Sequence, residues 1–303
     1  MLLRKKGLSH LAAGRCPTEM HLIDNDTLAR DVSDARNGNR AALESVVRAI
    51  EPLVGRLALR FFGCPHYAED ATQEALVRIV IKLDTFDAQS AFSTWAYRVA
   101  INKFLSMARS PAERQAMSLE DFDEDLAQPL EHASGLEADA ELALTLAELR
   151  IGCTLAMLLC LDRDARLAYI LGAIVELDHQ AAADILECAP ATYRKRFERA
   201  RDAITGLMKR RCGVFDASNN CQCAGRIPVA KSRGHLNPKS LVFASSVEQV
   251  RHFPEILSHI RELGELQRAA EIYRSHPEPL SRGSFIEQLH HLLDAGRLGV
   301  DQG

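Results

Sequence analysis

Apolar residues recur every three or four positions along most of the chain, a spacing that is typical of amphipathic α-helices. In the first third this pattern predicts helices over residues 41–59, 67–83 and 92–108. Only 6% of the residues are aromatic, so we expect an aliphatic, helical core. The first of these helices carries its apolar side chains at Leu43, Val46, Val47, Ile50, Leu53, Val54 and Leu57.

A second group of helices is predicted after residue 140. Leucines at helical spacing cover residues 142–159, and Asp178 is placed to N-cap a short helix that ends near Leu186. Pro190 suits the first position of the helix that follows. Two helices joined by a short turn, the second of them basic, are typical of a helix-turn-helix. The inward-facing residues predicted for the second helix are Tyr193, Phe197, Ala200, Ile204 and Leu207.

The last part of the chain predicts three short helices, over residues 254–263, 265–275 and 284–295, with enough apolar positions for a small bundle or a docking face. The length of 303 residues suggests two or three domains. Met20 is an alternative start to Met1. We predict a disordered leader (1–20), a first domain (21–110), an acidic linker (111–140), a second domain (141–211), a cysteine-containing segment (212–234) and a helical C-terminal extension (235–303).

The net charge of −4 conceals a segregation of charge along the chain. Residues 91–110 contain three bases and no acid, whereas residues 118–141 contain nine acids and no Lys or Arg. Residues 190–211 hold eight bases against Glu198 and Asp202, a local net of +6. The acidic stretch is predicted to be a solvated linker. Basic stripes concentrate affinity for phosphate backbones, although solvated helix faces are an equally good interpretation of charge alone.

Two consecutive strings carry a resemblance to a known family. AEDATQEALVRIVIKLDTF (68–86), followed by SAFSTWAYRVAINKFLSMAR (90–109), resembles region 2 of the extracytoplasmic-function (ECF) group of sigma-70-type RNA polymerase sigma factors. The resemblance implies a chain of two small all-α domains joined by a linker. It also implies that the helix around residues 70–86 binds the clamp coiled coil of the polymerase β′ subunit. The residues implied for this contact are Asp70, Gln73, Glu74, Val77, Lys82 and Phe86.

The resemblance further implies that the next helix, with the loop before it, melts and recognises the promoter −10 element. Aromatic residues interleaved with bases suit single-stranded DNA, because each nucleobase offers a face to stack on. For Trp95 alone, packing in the core is the more common role. The residues implied for −10 binding are Phe92, Trp95, Arg98, Asn102 and Lys103.

The segment QAAADILECAPATYRKRFERARDAI (180–204) is similar to the helix-turn-helix of sigma region 4. Glu187 stands where the family has a turn glycine, and a left-handed backbone there would cost about 1 kcal/mol. Ala189 stands in place of a hydroxyl-bearing N-cap. The resemblance implies contacts with the polymerase β flap and with the −35 element. The residues implied for −35 binding are Ala191, Thr192, Arg194, Lys195, Arg196 and Arg199.

Other functional classes find little support in the sequence. There is no Gly-rich phosphate loop, no HExxH and no nucleophile elbow, so we do not expect an enzyme. No apolar segment follows Arg4, Lys5 and Lys6, and no apolar run of about 20 residues is apparent, so we expect neither a secretory signal nor a membrane span. The bacterial cytoplasm is the expected location.

Three cysteines, Cys212, Cys221 and Cys223, cluster directly after the basic helix. With His235 they suggest a site for Zn²⁺ or another soft ion such as Cu(I), although the sequence requires no cofactor. Reduced structural thiols and a regulatory disulfide are the other interpretations. The spacing is similar to the cysteine-rich tails of some metal-responsive members of the family, with fewer cysteines.

The function favoured by these features is that of an alternative sigma factor, which binds core RNA polymerase and promoter DNA and is regulated by its own C-terminal extension. An anti-sigma factor is a further partner that the resemblance allows. Two alternatives belong to other classes. One is a helix-turn-helix transcription regulator without affinity for polymerase. The other is a metal or redox sensor centred on the cysteine cluster.

Overall fold

The computed structural model describes residues 25–130, 140–244, 250, 253–276 and 285–295. These residues form helices and no β-strand, and Cys212 and Cys221 make an isolated β-bridge. The all-α prediction is confirmed. The predicted leader, residues 1–20, lies outside the described residues. The helices are α1 (Asn25–Arg36), α2 (Arg40–Phe62), α3 (Pro65–Ile81), α4 (Phe92–Ser106), α5 (Pro111–Arg114), α6 (Leu119–Ala127), α7 (Ala140–Leu159), α8 (Arg163–Tyr169), α9 (His179–Ile185), α10 (Pro190–Arg211), α11 (Cys223–Ser232), α12 (Phe253–Glu262), α13 (Glu265–Arg274) and α14 (Phe285–Asp294).

Helices α1 to α4 pack into the first domain around α2. The α2 helix begins at Asn39, whose side chain accepts a hydrogen bond from the Ala42 N–H at 3.1 Å. It ends at Gly63, which has a φ of +64°. A Cβ atom at Gly63 would lie 2.6 Å from the Cδ1 atom of Leu159. Glycine is therefore needed there both for the left-handed backbone and for the close approach of α7.

The first part of the predicted linker is folded. Ser110 and Glu113 form a reciprocal capping box at α5, and Ser118 caps α6. Phe122 and Leu126 of α6 are buried. The prediction of a solvated linker is therefore wrong for α6, because these two apolar residues lie four positions apart on one helix face within the acidic run. Residues 131–139 lie outside the described part of the chain.

The α7 helix contradicts one expectation from the sequence. It is 20 residues long with a hydropathy of 1.7, so its length and composition would allow it to cross a membrane. Half of this stretch is buried in the structure, where α7 packs against α2 and α11. A buried core helix passes the same test of length and hydropathy, so α7 gives only weak support for a membrane span.

The second domain contains the predicted helix-turn-helix. The α8 helix continues through a π-turn at Ile170–Ile174, and α9 and α10 follow. All five residues predicted to face inward on α10 are buried, which confirms that prediction. The rings of Tyr193 and Phe197 stack with centroids 6.1 Å apart. They lie against Gly172, where a Cβ atom would be 2.5 Å from the Tyr193 hydroxyl, so α8 and α10 pack closely.

The three helices predicted near the C-terminus are present as α12, α13 and α14, with ends within two residues of the predicted ones. The sequence did not predict α11, which packs on α7. The α13 helix contacts α10 and the π-turn, while α14 contacts α2 and α3. One continuous apolar core therefore runs through the first domain, the second domain and the C-terminal extension.

Candidate nucleic-acid and polymerase interfaces

The turn between α9 and α10 has the backbone that the sequence predicted. The Asp178 side chain accepts hydrogen bonds from the N–H groups of Gln180 and Ala181, each at 2.9 Å, and so caps α9. Glu187 has a φ of +49°, which confirms the expected left-handed residue. Ala189 makes no side-chain cap, and Pro190 starts α10. The turn therefore positions α10 through backbone geometry and the proline.

The α10 helix presents a basic face to solvent. Arg194, Lys195 and Arg199 are exposed, and none of them has an ion-pair partner within the described residues. Ala191 and Thr192 are exposed beside them. Arg196 is half-buried and pairs with Asp164 of α8 through Nη2 and Oδ2 at 2.9 Å. Five of the six residues implied for −35 binding thus form one open surface, which we call the recognition surface. It comprises Ala191, Thr192, Arg194, Lys195 and Arg199.

The implied polymerase-binding residues of α3 lie on a partly open face. Asp70 and Glu74 are exposed, and Gln73 and Val77 are half-buried. Beyond them, Lys82 is exposed as well. Ile81 is not among the implied residues, but helical spacing places it beside Val77, and it is 48% exposed although it is a large apolar residue. It therefore extends the open face.

Phe86 does not belong to this open face. It is buried at 6% exposure, and its ring lies 5.2 Å from that of Phe92 and 5.7 Å from that of Trp95. Phe92 is also buried, whereas Trp95 is half-buried and stacks on Phe92 at 5.3 Å. In this structure Phe86 and Phe92 are core residues, and neither offers a free face to a polymerase helix or to a nucleobase.

The polar residues of α4 contact the second domain. Nη2 of Arg98 donates to the carbonyl oxygen of Asp184 at 2.6 Å, and Nδ2 of Asn102 donates to Oε1 of Glu187 at 3.3 Å. Lys103 forms an ion pair with Glu74 of α3. Three of the five residues implied for −10 binding are thus engaged by protein groups, two of them by the turn of the helix-turn-helix.

A buried ion-pair cluster holds the two domains together at another point. Glu113 of α5 accepts hydrogen bonds from Arg163 and Arg166 of α8 at 2.8–2.9 Å, and Arg166 also donates to the carbonyl oxygen of Phe61. Burial alone would raise the pKa of Glu113, but the hydrogen bonds from Arg163 and the Ser110 N–H and the charge of Arg166 lower it. Glu113 is therefore ionised at neutral pH.

We call Glu113, Arg163 and Arg166 the Glu113 cluster. Sequence reasoning missed it, although Ser110-Pro-Ala-Glu113 has the spacing of a capping box that would have indicated a helix start there.

The α13 helix bonds to both domains. Nη2 of Arg60 in α2 donates to the carbonyl oxygen of Tyr273 at 3.1 Å. The ring of Tyr273 lies edge-on to that of Tyr169 in α8, with centroids 5.7 Å apart. Arg274 donates to the carbonyl oxygen of Ile174 at 3.2 Å and pairs with Glu176 at 2.7 Å. This part of the C-terminal extension therefore bridges the first and second domains.

Three further contacts complete the docking of the extension. Nε2 of His276 lies 2.9 Å from Oγ1 of Thr154 on α7. On α14, Asp294 pairs with Arg40 at 3.0 Å, and His290 contacts Glu44 at 2.6 Å. Burial lowers the pKa of His276 well below its usual value, and the nearby charges of Arg60 and Arg150 add to this effect, so its imidazole is neutral at pH 7.

The acidic α6 helix lies across the end of α10 and the start of the extension. Asp123 binds Arg211 at 2.8 Å and Arg210 at 3.6 Å, and the hydrogen bond from Arg211 lowers the pKa of Asp123. Asp125 forms ion pairs with Arg226 and Arg233 of the cysteine-containing segment. Two of the acids predicted to be solvated thus form ion pairs with four arginines.

The cysteine cluster does not fit a resident metal ion. In the described part of the chain, no group of three or more His, Cys, Asp or Glu side chains is arranged to hold one. His235 is exposed, whereas Cys212, Cys221 and Cys223 are half-buried and are free thiols. The proposed Zn²⁺ or Cu(I) ligand set is therefore not assembled by this geometry.

Comparison with known proteins finds sigma factors. Residues 46–114 match the family model for sigma-70 region 2. The ECF RNA polymerase sigma factor SigW of Bacillus subtilis (strain 168) is 27% identical over 179 residues, which are 58% of this chain and 94% of SigW. The ECF RNA polymerase sigma-E factor of Escherichia coli (strain K12) is 29% identical over 175 residues, 57% of this chain and 90% of that one. The chain is thus similar to ECF sigma factors over nearly their whole length.

Among solved structures, CnrH, in complex with the cytosolic domain of CnrY, is similar at 24% identity with a TM-score of 0.40. The match covers 61% of this chain and 97% of CnrH. The sigma factor RpoE of Bartonella quintana, in complex with the anti-sigma factor NepR, is similar at 22% identity and a TM-score of 0.38, covering 55% of this chain and 96% of RpoE. The residues that match sigma-70 region 2 form most of α2 together with α3, α4 and α5.

Proposed function

We propose that this protein is an alternative sigma factor that binds core RNA polymerase and directs it to specific promoters. One observation carries the proposal. A sigma-70 region 2 at residues 46–114 is followed by a helix-turn-helix whose second helix presents an open basic face. Tethering two weak contacts in one chain raises the effective concentration of the second, so neither domain needs high affinity alone. We place its action in the bacterial cytoplasm.

For polymerase, we propose that α3 binds the clamp coiled coil of the β′ subunit and that the second domain contacts the β flap. The open part of α3 supports this proposal, since it combines the exposed charges of Asp70 and Glu74 with the apolar Val77 and Ile81. Charged rims around an apolar centre are common in protein interfaces. The buried Phe86 is left out of this set.

For promoter DNA, we propose that the recognition surface contacts the −35 element in the major groove. The −10 element would be read by Trp95, Arg98, Asn102 and Lys103. Because Arg98 and Asn102 bond to Asp184 and Glu187, the two domains have to separate before α4 reaches DNA. In this proposal the structure corresponds to a closed state, and promoter binding requires an open one.

We propose that the C-terminal extension tunes this opening. Arg60 of the first domain and Ile174 of the second both bond to α13, so its docking favours the closed arrangement. Burying apolar residues such as Ile272 and Phe285 adds to that preference. An anti-sigma factor would be a second restraint on the same equilibrium.

The proposal is tested by adding the full-length protein to core polymerase and measuring run-off transcription from a library of genomic fragments. We expect specific transcripts that core polymerase alone does not make, and co-purification of the protein with core polymerase. Charge reversal of Asp70 to Arg should reduce both, whereas the exposed Glu262→Arg in the extension should not. A wild-type protein that binds DNA without binding polymerase would establish the helix-turn-helix regulator instead.

A further inference from the structure

The chain forms a short loop directly after α10 that brings two cysteines side by side. Cys212 and Cys221 are paired in a parallel β-bridge, and the Gly213 N–H donates to the carbonyl oxygen of Cys221 at 3.1 Å. Adjacent extended segments lie about 4.8 Å apart. This spacing falls inside the window of about 4.4–6.8 Å that Cα atoms of a disulfide occupy. Residues paired in this way also point their side chains to the same side of the backbone.

The loop between the two cysteines is held in place by its own side chains. Nδ2 of Asn219 donates to the carbonyl oxygens of Cys212 and Lys209, each at 3.1 Å. Nε2 of Gln222 donates to the carbonyl oxygen of Asn219 at 2.7 Å. Hydrogen bonds within this loop therefore hold the two cysteines next to each other, so little movement of the backbone is needed to form a disulfide between them.

The two thiols differ in their surroundings. Nε of Arg226 donates to Sγ of Cys221 at 3.4 Å, and Nη2 of the same arginine donates to the carbonyl oxygen of Asp125 at 2.8 Å. The guanidinium group of Arg226 therefore lies directly beside this sulfur, whereas among the described residues no such group donates a hydrogen bond to the sulfur of Cys212 or Cys223. Burial raises the pKa of the Cys212 thiol, and it raises that of Cys223 to about 12. Cys221 is therefore placed to react first.

We propose that Cys212 and Cys221 are a redox-active dithiol that a peroxide converts into a reversible disulfide. In the first step the Cys221 thiolate attacks hydrogen peroxide, the O–O bond breaks, and a sulfenic acid and hydroxide form. In the second step the Cys212 sulfur attacks the Cys221 sulfur. The S–O bond then breaks, the S–S bond forms, and the Cys212 proton leaves with the oxygen as water. The two sulfurs are oxidised, and the peroxide is reduced to water.

The disulfide would act at the junction between α10 and the cysteine-containing segment. Cys212 follows the last residue of α10, while Cys221 is the sulfur that Arg226 contacts from α11. Oxidation removes the free thiol that Arg226 contacts and fixes the end of α10 to the start of the next segment. This inference concerns the chemistry of the two sulfurs, so it does not depend on whether the protein binds polymerase.

The test treats the reduced full-length protein with hydrogen peroxide, alkylates the remaining thiols and maps the peptides without reduction. Cleavage after Phe215 separates Cys212 from Cys221 but leaves Cys223 in the second peptide, so the Cys223→Ser variant is mapped in parallel. We expect the two peptides to be linked, with the loss of two hydrogen atoms and with reversal by dithiothreitol. The same link should form in Cys223→Ser and in Cys64→Ser.

Three variants separate the steps. Cys212→Ser should stop at a Cys221 sulfenic acid that dimedone traps, and Cys221→Ser should lose the fast reaction altogether. Arg226→Ala should slow it several-fold, and Arg226→Lys should restore part of the rate, with circular dichroism confirming that each variant is folded. A link from Cys221 to Cys153 or Cys223, or full alkylation of Cys212 and Cys221 after peroxide treatment, would overturn the proposal.

Discussion

The two basic helices proposed to bind DNA, α4 and α10, differ in what surrounds them. Arg194, Lys195 and Arg199 on α10 face solvent without ion-pair partners in the described chain, whereas Arg98 and Asn102 on α4 bond to the second domain. Sequence alone makes both helices look equally ready for DNA, since both are basic. Under the proposed function, this arrangement would leave −35 recognition accessible and withhold −10 recognition. Domain opening, and not helix folding, would then be the step that controls promoter melting.

The largest predicted effect concerns the Glu113 cluster, which holds the domains in the arrangement that covers α4. Replacing Glu113 by Ala leaves Arg163 and Arg166 without their shared carboxylate in a buried site. Removing one partner of a buried ion pair typically costs about 3–5 kcal/mol. We expect a loss of about 3 kcal/mol in the free energy of unfolding, measured by urea denaturation, since Arg163 is partly exposed.

The exposed Glu124→Ala, on the neighbouring α6 helix, is the matched control and should change stability by less than about 0.5 kcal/mol. The same Glu113 variant should also increase hydrogen exchange at the α4–α9 contact. If Glu113→Ala and Glu124→Ala were equally stable, the cluster would not be what keeps the domains closed.

The second prediction uses pH to loosen the extension from both domains. His276 is neutral and half-buried in the folded state, whereas in the unfolded chain its pKa is about 6.5. Below pH 6.5 the unfolded state binds the proton that the folded state excludes, so stability falls as pH decreases. This contribution is fully present above pH 6.5 and is lost by about 1.4 kcal/mol per pH unit below it.

The loss should therefore grow steadily from pH 6.5 to pH 5. Denaturation curves of wild type and of His276→Gln between pH 7.5 and 5 provide the measurement. The variant should show a flatter profile over this range. Parallel profiles would indicate that His276 is not excluded from protonation, and the bridge formed by α13 would lose one of its supports.

The third prediction concerns the open side of the comparison. The double variant Arg194→Ala/Lys195→Ala removes two exposed charges from the recognition surface without disturbing an ion pair. Each lost phosphate contact should reduce the slope of log affinity against log salt by about 0.9. Filter binding or fluorescence anisotropy over a salt series measures this slope, with the exposed Lys231→Ala as the control. An unchanged slope would show that α10 does not contact the DNA backbone.

How far the sequence could predict this molecule depended on the range of the interactions. Asp178, Pro190 and Glu187 act within a few residues of themselves, so caps, the helix start and the left-handed turn followed from local rules. The inward face of α10 followed from periodicity. The motif strings identified the family because they lie in one continuous stretch.

The missed features involve partners far apart in the chain. Arg98 and Asp184 are 86 residues apart, and Arg60 and Tyr273 are 213 residues apart, so no local pattern reveals either contact. The folding of α6 was missed because the nine acids of residues 118–141 dominated the interpretation of this stretch. The two apolar residues that anchor α6, Phe122 and Leu126, were given too little weight. Phe86 was assigned to an exposed site because the resemblance gives positions but does not give burial.

The smallest predicted effect lies at the junction of the two compared regions, where Glu187 both strains the turn and accepts the hydrogen bond from Asn102. Glu187→Gly relieves a left-handed backbone worth about 1 kcal/mol and loses an exposed hydrogen bond worth about 0.5 kcal/mol. The net result should be a gain of about 0.5 kcal/mol in unfolding free energy. Glu187→Ala keeps the strain and loses the bond, so it should lose about 0.5 kcal/mol instead. Both variants should free α4 equally, which hydrogen exchange at Asn102 would measure. Opposite signs in stability with equal opening would separate the strain of the turn from its contact with α4, and equal stabilities would show that Glu187 carries no strain.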